Sequence, residues 1–524
     1  MREYLVAVDV GTGSARAGVF DKSGGLIARS THPILMHRPK ENHAEHDSAD
    51  IWDAVCFVVR HALSDAGIPA SSVAAIGFDA TCSLVVRGPQ GEQVSVSTTG
   101  EDRFDTIVWL DHRAIAEADF LTASHHPVLA FSGGSISPEM EIPKLMWLKK
   151  NLPECWTRAG YFFDLADFLT WKASGSANRS NCTLSAKWNF LAHESPGWNE
   201  DYLKLAGVED LLVRGGLPAS TVAPGQSVGK LSAQAAHELG LDTGCEVAAG
   251  MIDAYAGALG ALGGSLHADV GNNVALIAGT SSCLVTLTPK MMPGHSLWGP
   301  YWQAVLPGHW LVEGGQSATG ALLDHVVRMH AAGGDPTSAL HASIVERVQE
   351  LRRVEGESFA DHLHVLPDFH GNRSPLADPH ARGVISGLTL DSSFDSLCRL
   401  YWRTAVSIAL GARHVLDAME GFGYTVDTLH VTGGHIHNPL LMELYADVTG
   451  KRIVVPATVD AVLLGTAMTA ASAGGVHDGL VAAGAAMYPG GEEKQSSAAD
   501  KQRYERDYRR FLAMYRHRQE LEEI

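Results

Sequence analysis

The sequence predicts an α/β chain of two roughly equal halves, each opened by the same strand–turn–strand hairpin. Three observations predict it. An apolar run over residues 4–10 closes on Gly11-Thr12-Gly13-Ser14, and a second over 273–277 closes on Ala278-Gly279-Thr280-Ser281-Ser282. Gly11 and Gly279, Thr12 and Thr280, and Ser14 and Ser282 all stand 268 positions apart, as a repeated scaffold requires. Short apolar runs alternate with stretches of helical spacing through both halves. At 524 residues the chain is long enough for more than one core.

The elements follow in order. After the first strand come apolar runs at 17–20 and Leu26 to Arg29, separated by the turn Asp21-Lys22-Ser23-Gly24-Gly25: a β-meander. Ile51 to Ala66 has apolar residues at helical spacing, with Asp47 or Ser48 as cap. Val73 to Phe78 and Val108 to Leu110 read as short buried strands. Residues 115–245 mix helical patterns with Gly/Pro/Ser loops, as expected of an insertion that builds a pocket. In the second half, 283–287 completes the hairpin. A helix is expected at about 316–332, irregular structure through 353–390, a longer helix at about 395–421 and a strand at Thr428 to Thr432. A helix after Asn438 and a strand at 451–455 follow. Ala461 to Val476 is too short, and too rich in Gly, Ser and Thr, to span a bilayer, and reads as a buried helix. Residues 476–499 read as a linker. The last stretch sets Tyr504, Tyr508, Phe511, Leu512, Tyr515 and Leu521 at helical spacing, an amphipathic helix docked on the body. Domain boundaries are expected at 1–262, 263–476 and 477–524.

Composition narrows the function. Hydrophobic residues make up 45% and charged residues 19%, which fits a soluble globular protein rather than a disordered one. Forty Lys and Arg against 59 Asp and Glu give a net charge of −19, which argues against a nucleic-acid or anionic-membrane partner. Backbone N–H groups can still hold a small anion locally. The seven cysteines are odd in number and show no C-x-x-C spacing, so a reducing, cytoplasmic setting is expected rather than a disulfide framework. The chain enters its first strand within four residues, which leaves no room for a signal peptide.

Gly11-Thr12-Gly13-Ser14 is not a dinucleotide fingerprint, because a strand and not a helix follows it, and no P-loop pattern occurs. It is a hairpin turn whose bare backbone and hydroxyls can approach a phosphate. One such turn is common; two at matching places could clasp a polyphosphate from both sides. Asp9, at the strand end beside the turn, reads either as a turn carboxylate or as a partner of the Mg²⁺ that a polyphosphate carries. Asp253, in Gly250-Met251-Ile252-Asp253-Ala254-Tyr255-Ala256-Gly257, reads equally as a helix N-cap and as a working group. Gly225-Gln226-Ser227-Val228-Gly229 matches G-x-S-x-G without the strand and helix that a nucleophile elbow needs. His43 and His46, near Glu45 and Asp47, read as part of a loop rather than a metal site. Gly433-Gly434, with Asn438 after it, is either an ordinary strand–helix turn or a close backbone approach to a nucleotide.

Taken in order, these pieces resemble the FGGY carbohydrate kinases of the actin-like ATPase superfamily, over residues 4 to about 475. The resemblance rests on Asp9 to Ser14, Gly77-Phe78-Asp79-Ala80-Thr81-Cys82-Ser83, Trp109-Leu110-Asp111-His112-Arg113 and Asp253 in its glycine-flanked segment. Gly279-Thr280-Ser281, Glu313-Gly314-Gly315-Gln316-Ser317, Gly371-Asn372-Arg373-Ser374-Pro375 and Thr432-Gly433-Gly434 with Asn438 complete it. It implies two actin-like (ribonuclease H-like) domains with a cleft between them. It also implies ATP and Mg²⁺ as cofactors and a sugar or polyol as partner; oligomeric state stays open, a homodimer included. Within the family, Thr81-Cys82-Ser83 and Asp111-His112-Arg113 look most like D-ribulokinases. The resemblance makes Asp253 the general base and assigns Mg²⁺ to Asp9 and Asp253. It gives the sugar to Asp79, Thr81, Cys82, Asp111, His112, Arg113, Lys187, Asp253 and Glu313. Thr12, Gly13, Ser14, Gly279, Thr280, Ser281, Gln316, Gly433, Gly434 and Asn438 would hold ATP. The implied reaction is phosphorylation of D-ribulose to D-ribulose 5-phosphate. L-ribulose, ribitol or another polyol is the alternative acceptor, and a non-enzymatic actin-like switch is a third reading.

Overall fold

A computed structural model describes residues 2–267, 270–292, 294–495 and 498–524. The chain forms two compact units. The first comprises Met1–Val270, Leu287–Val312 and Thr458–Gly490, and the second Gly271–Thr286, Glu313–Ala457 and Gly491–Ile524.

The sheet of the first unit runs in the order Leu26–Pro33, Ser14–Phe20, Tyr4–Val10, Val73–Ala80, Glu246–Ala248 and Ser227–Lys230. Tyr4–Val10 pairs antiparallel with its hairpin partner and parallel with Val73–Ala80. The two parallel strands are buried along nearly their whole length, which is why they read as continuous apolar runs instead of alternating ones. Helix Ser48–Ala66 packs on this sheet through Ile51, Trp52, Val55, Val58 and Val59; Asp47 is its N-cap, accepting from Ala49 and Asp50. The insertion has a second core, built by Leu84, Ile142, Leu145, Phe162, Leu184 and Trp188 among others. Helix Ala461–Ala473, the expected buried helix, returns late in the chain to pack on helix Asp253–Leu262. The two cross at glycines: a Cβ added at Gly465 would overlap the carbonyl oxygen of Ala256, and one at Gly260 that of Ala461.

In the second unit the sheet order is Trp310–Gln316 (through its Glu313–Gln316 part), Ser282–Thr288, Asn273–Ala278, Thr428–Thr432, Arg452–Pro456 and Gly491–Lys494. Asn273–Ala278 and Thr428–Thr432 are parallel, with Ile277 opposite Thr432. Helix Phe394–Gly421 is the expected long helix, and Asn438 caps helix Pro439–Thr449 by accepting from Leu440.

Five expectations need correction. The strand at Val108 to Leu110 is a two-residue strand, Thr106–Ile107; the Trp109 N–H leaves the ladder to donate to the Ser83 hydroxyl. The helix at 316–332 is Gly320–Met329, because Gln316 ends the fully buried strand Trp310–Gln316. Before the irregular stretch lies an unforeseen helix, Ser338–Glu355, and within that stretch His364–Leu366 and Val384–Ser386 pair as strands. The linker at 476–499 holds helix Gly479–Met487, which buries Leu480, Ala483, Gly484 and Met487, and edge strand Gly491–Lys494. Its residues 496 and 497 lie outside the described residues. The final helix spans Ala498–Glu522 and docks through Tyr504, Tyr508 and Phe511, whereas Leu521 is exposed.

Candidate active site

In the first unit three carboxylates gather where parallel strands end. Asp9 and Asp79 sit opposite each other in register, and Met251 pairs with Asp79, which delivers Asp253 one step beyond its short strand. The C-terminal ends of parallel strands are the usual place for ligands in open α/β sheets. Asp253 is the first residue of its helix and not its N-cap, a position held by Ile252. One Asp253 oxygen accepts from the Ala254 N–H at 2.7 Å.

Arg16, from the second strand of the hairpin, donates to Asp9 and, at 3.0 Å, to Asp460. Thr466 donates its hydroxyl to Asp79. Asp460 and Thr466 belong to helix Ala461–Ala473 and its cap, so a segment more than 370 positions further along completes the cluster. The second Asp79 oxygen is buried with no donor to accept from, and the Asp79 carboxyl interacts with the Asp9 carboxylate. That arrangement is favourable when Asp79 keeps its proton and donates it to Asp9. Burial and the Asp9 charge accordingly hold the Asp79 carboxyl well above the ordinary range. Burial also raises Asp9, against the pull of Arg16. Asp253 is partly accessible yet so enclosed that burial, with repulsion from Asp9, pushes it up to about 6; the Ala254 N–H, Lys187 and Arg16 oppose this. Burial disfavours the Arg16 charge, but Asp9, Asp460 and Asp79 outweigh it and keep the guanidinium protonated.

Around this cluster the other sequence candidates divide. Lys187 is buried with its ammonium 4.4 Å from the Trp298 ring centre, and its charge acts on Asp253 and Cys82. Burial pushes the Cys82 thiol up to about 12, so it stays neutral. The Thr81 and Ser83 hydroxyls are 3.1 Å apart. Thr12 accepts from the Trp109 indole at 2.9 Å, and a Cβ added at Gly13 would meet nothing within 4 Å. The Gly11 N–H donates to the Ser14 carbonyl and closes the turn. Asp111 and Arg113 form a separate buried knot with Glu45: the guanidinium donates to both carboxylates and to Val96 O, and Asp111 also accepts from Ala44. Their polar groups are thus used within the protein. His112 lies beside them, 4.0 Å from Glu139.

In the second unit the nucleotide candidates gather at one sheet end. Gly279 closes its turn on the Ser281 carbonyl, and an added Cβ there would meet nothing within 4 Å. Thr319 braces the turn: its N–H donates to Thr280 O and its hydroxyl to Gly279 O. Gly433 has φ +90°, and a Cβ on it would overlap Ala278 O, so glycine is required. Gly434 borders open space. The Asn438 amide donates to the Tyr401 hydroxyl at 3.2 Å; Tyr401 meets His341 at 3.0 Å, and His341 meets Asp324 at 3.0 Å. Gln316 is anchored on Ile408 O, and Glu313 is buried in the same strand. Sequence reasoning missed His435, whose Nε2 donates to Gly279 O while Nδ1 accepts from Tyr445. Burial holds it near 4, hence neutral, as that pattern needs. Arg16, Asp460, Thr466 and Thr319 were missed too; only Arg16, inside the first hairpin, left a signal in its place.

Oxygen donors in mutual repulsion fit a hard divalent cation such as Mg²⁺, which takes one or two carboxylates and completes its shell with phosphate and water. Among the described residues no group of three or more protein ligands forms a dedicated metal cage.

Models of one family match nearly the whole chain: the N-terminal domain of the "FGGY family of carbohydrate kinases" over residues 4–260 and its C-terminal domain over 274–474. The chain belongs to the FGGY family. This FGGY kinase is 41% identical to a Homo sapiens FGGY carbohydrate kinase domain-containing protein, over 99% of this chain and 97% of that one. It is 36% identical to a D-ribulokinase of Saccharomyces cerevisiae, over 90% and 72%. Its fold matches a xylulose kinase from Rhodospirillum rubrum, with TM-score 0.79, 23% identity and 98% of each chain covered. It also matches a Plasmodium falciparum glycerol kinase with ADP, with TM-score 0.78, 15% identity and again 98% of each chain. The FGGY kinase therefore has the two-domain sugar-kinase fold and is an ATP-dependent sugar phosphotransferase. Among the described residues no helix is long and apolar enough to cross a membrane.

Proposed function

We propose that this FGGY kinase phosphorylates the terminal hydroxyl of a ketopentose, D-ribulose, to give D-ribulose 5-phosphate. The observation that carries the proposal is Asp253: an enclosed carboxylate with one oxygen pinned by the Ala254 N–H and a pKa raised to about 6. A base near the working pH is ionised yet basic enough to accept a proton in the transition state. Asp253 takes the proton of the sugar hydroxyl as its oxygen bonds to the γ-phosphorus; the bond to the β-phosphate oxygen breaks, and ADP leaves. Thr12, Gly13, Ser14, Gly279, Thr280 and Ser281 hold phosphate oxygens. Gly433, Gly434, Asn438 and Gln316 take the adenosine side. Asp9, together with Asp253, supplies carboxylate oxygens for Mg²⁺, which when bound offsets phosphate charge. Asp79, Thr81, Cys82, Lys187 and Glu313 line the sugar side. Asp111, His112 and Arg113 act by positioning the loop they share with Trp109, which reaches Thr12.

The choice of D-ribulose is supported by the yeast relative named a D-ribulokinase and by the Thr81-Cys82-Ser83 and Asp111-His112-Arg113 segments. The test is a coupled ADP-release assay with Mg-ATP over D-ribulose, L-ribulose, D-xylulose, ribitol and glycerol, with a no-sugar control. Highest kcat/KM on D-ribulose is expected. Preference for another sugar removes the pocket assignment and leaves the role of Asp253 intact.

A further inference from the structure

The last turn of helix Ser338–Glu355 and the start of helix Ala498–Glu522 border a cavity of about 400 Å³, lined by Gln349, Arg352, Arg353, Gly356 and Arg503. None of these residues serves phosphoryl transfer. Three of the five are arginines, and none of the described lining residues is acidic, in a chain of net charge −19. Guanidinium groups gathered around one space repel each other until a counter-charge enters. Glu443 supplies only part of it. It accepts from the two terminal nitrogens of Arg352, at 3.2 and 2.5 Å, but the Arg352 Nε is buried without a partner. The Trp402 ring, with its centre 4.0 Å from that guanidinium, fixes its plane. Buried donors are rarely left unpaired.

We propose that this cavity binds a small phosphorylated metabolite. Planar guanidinium forks match phosphate oxygens two at a time, which ammonium groups do not. The volume exceeds that of one phosphate and falls in the ligand range of roughly 300–1,000 Å³, so a phosphate monoester with a carbon body fits it.

The test is calorimetric titration of the full chain, saturated with ADP and Mg²⁺, with inorganic phosphate in one arm and glycerol 3-phosphate in the other. Saturable binding is expected. It should weaken at least tenfold in an Arg353→Gln/Arg503→Gln double variant whose turnover stays within twofold of the parent. Tighter binding of the monoester assigns the site to a monoester, and equal affinity assigns it to free phosphate. No saturable binding, or binding unchanged in the double variant, overturns the proposal. Should the double variant melt early, Arg353→Gln alone decides: Arg353 is exposed, and a loss of at least threefold is expected there, with unchanged affinity overturning the site.

Discussion

Asp253 pays for its chemistry in stability. Its folded pKa, about 6, lies above the ordinary carboxylate value, so the folded state is penalised once pH rises past the point where the unfolded group ionises. Asp253→Asn removes both the base and the penalty. Turnover should fall by 10²–10⁴, the usual contribution of such a group, while the metal-free melting temperature at pH 8 rises by a few degrees. That gain should shrink to a small remainder near pH 4, where the folded side chain is protonated and the unfolded one, with an ordinary value of 3.8, is about half so. Melts at the two pH values, beside kcat, check this; a variant that loses turnover and also melts lower at pH 8 would count against it. The same value sets the acid limb of kcat/KM. Activity needs ionised Asp253, so it should be full above about pH 7 and decline tenfold per unit well below 6. A pH–rate profile without metal-concentration limits reads this directly. Asp9 was legible in the sequence because it closes an apolar strand beside a glycine turn, and Asp79 and Asp253 because they stand in motifs that resemble the family's. Their partners were not. Asp460 and Thr466 sit in an ordinary capped apolar helix, and only the folded chain brings them to Arg16 and Asp79.

Elements were legible where periodicity was strong and misread where it was weak. The hairpins, the Ser48–Ala66 and Phe394–Gly421 helices and the buried Ala461–Ala473 helix all carry long apolar runs or clear helical spacing. Gly479–Met487 was hidden by its glycines and alanines, whose small side chains carry little apolar contrast, although alanine favours helix. Two predictions belong at this scale. The Asp324–His341–Tyr401–Asn438 chain orients the Asn438 amide, so Tyr401→Phe should raise KM for ATP several-fold with little change in sugar KM. An equal shift in both constants would mean a general loss of fold. The Gly260/Gly465 crossing admits no side chain, so Gly465→Ala should destabilise by about 1–3 kcal/mol, read as a lower urea midpoint. A midpoint equal to the parent's would show that the two helices can part without cost.

For the whole molecule, two classes of buried group act against each other as pH changes. His46, His364, His414 and His435 are held near 4 by burial. Their folded pKa values are depressed, so the stability they allow is present above about 6.5 and is lost as pH falls toward 4. Glu141, raised to about 7, and Asp105 and Asp167, raised to about 6, work in reverse: burial favours their neutral forms, and stability is lost as pH rises through those values. The windows overlap, so the melting temperature should change little between pH 5 and 7. Thermal melts across that range test the balance, and a steady rise or fall of more than about 10 °C from pH 5 to 7 would show that one class dominates.

The late return of Thr458–Gly490 to the first unit also governs how this polypeptide is born. A ribosome that has released the first 270 residues has made every strand of that unit's main sheet, yet Arg16 still lacks Asp460, Asp79 lacks Thr466, and helix Asp253–Leu262 exposes the face that Ala461–Ala473 will cover. The nascent unit must wait, apolar flank open, for almost 200 more residues to emerge, an interval that invites chaperone capture. A gene cut between the two halves would give an N-terminal product that is never finished, unless the missing helix were supplied on the same chain.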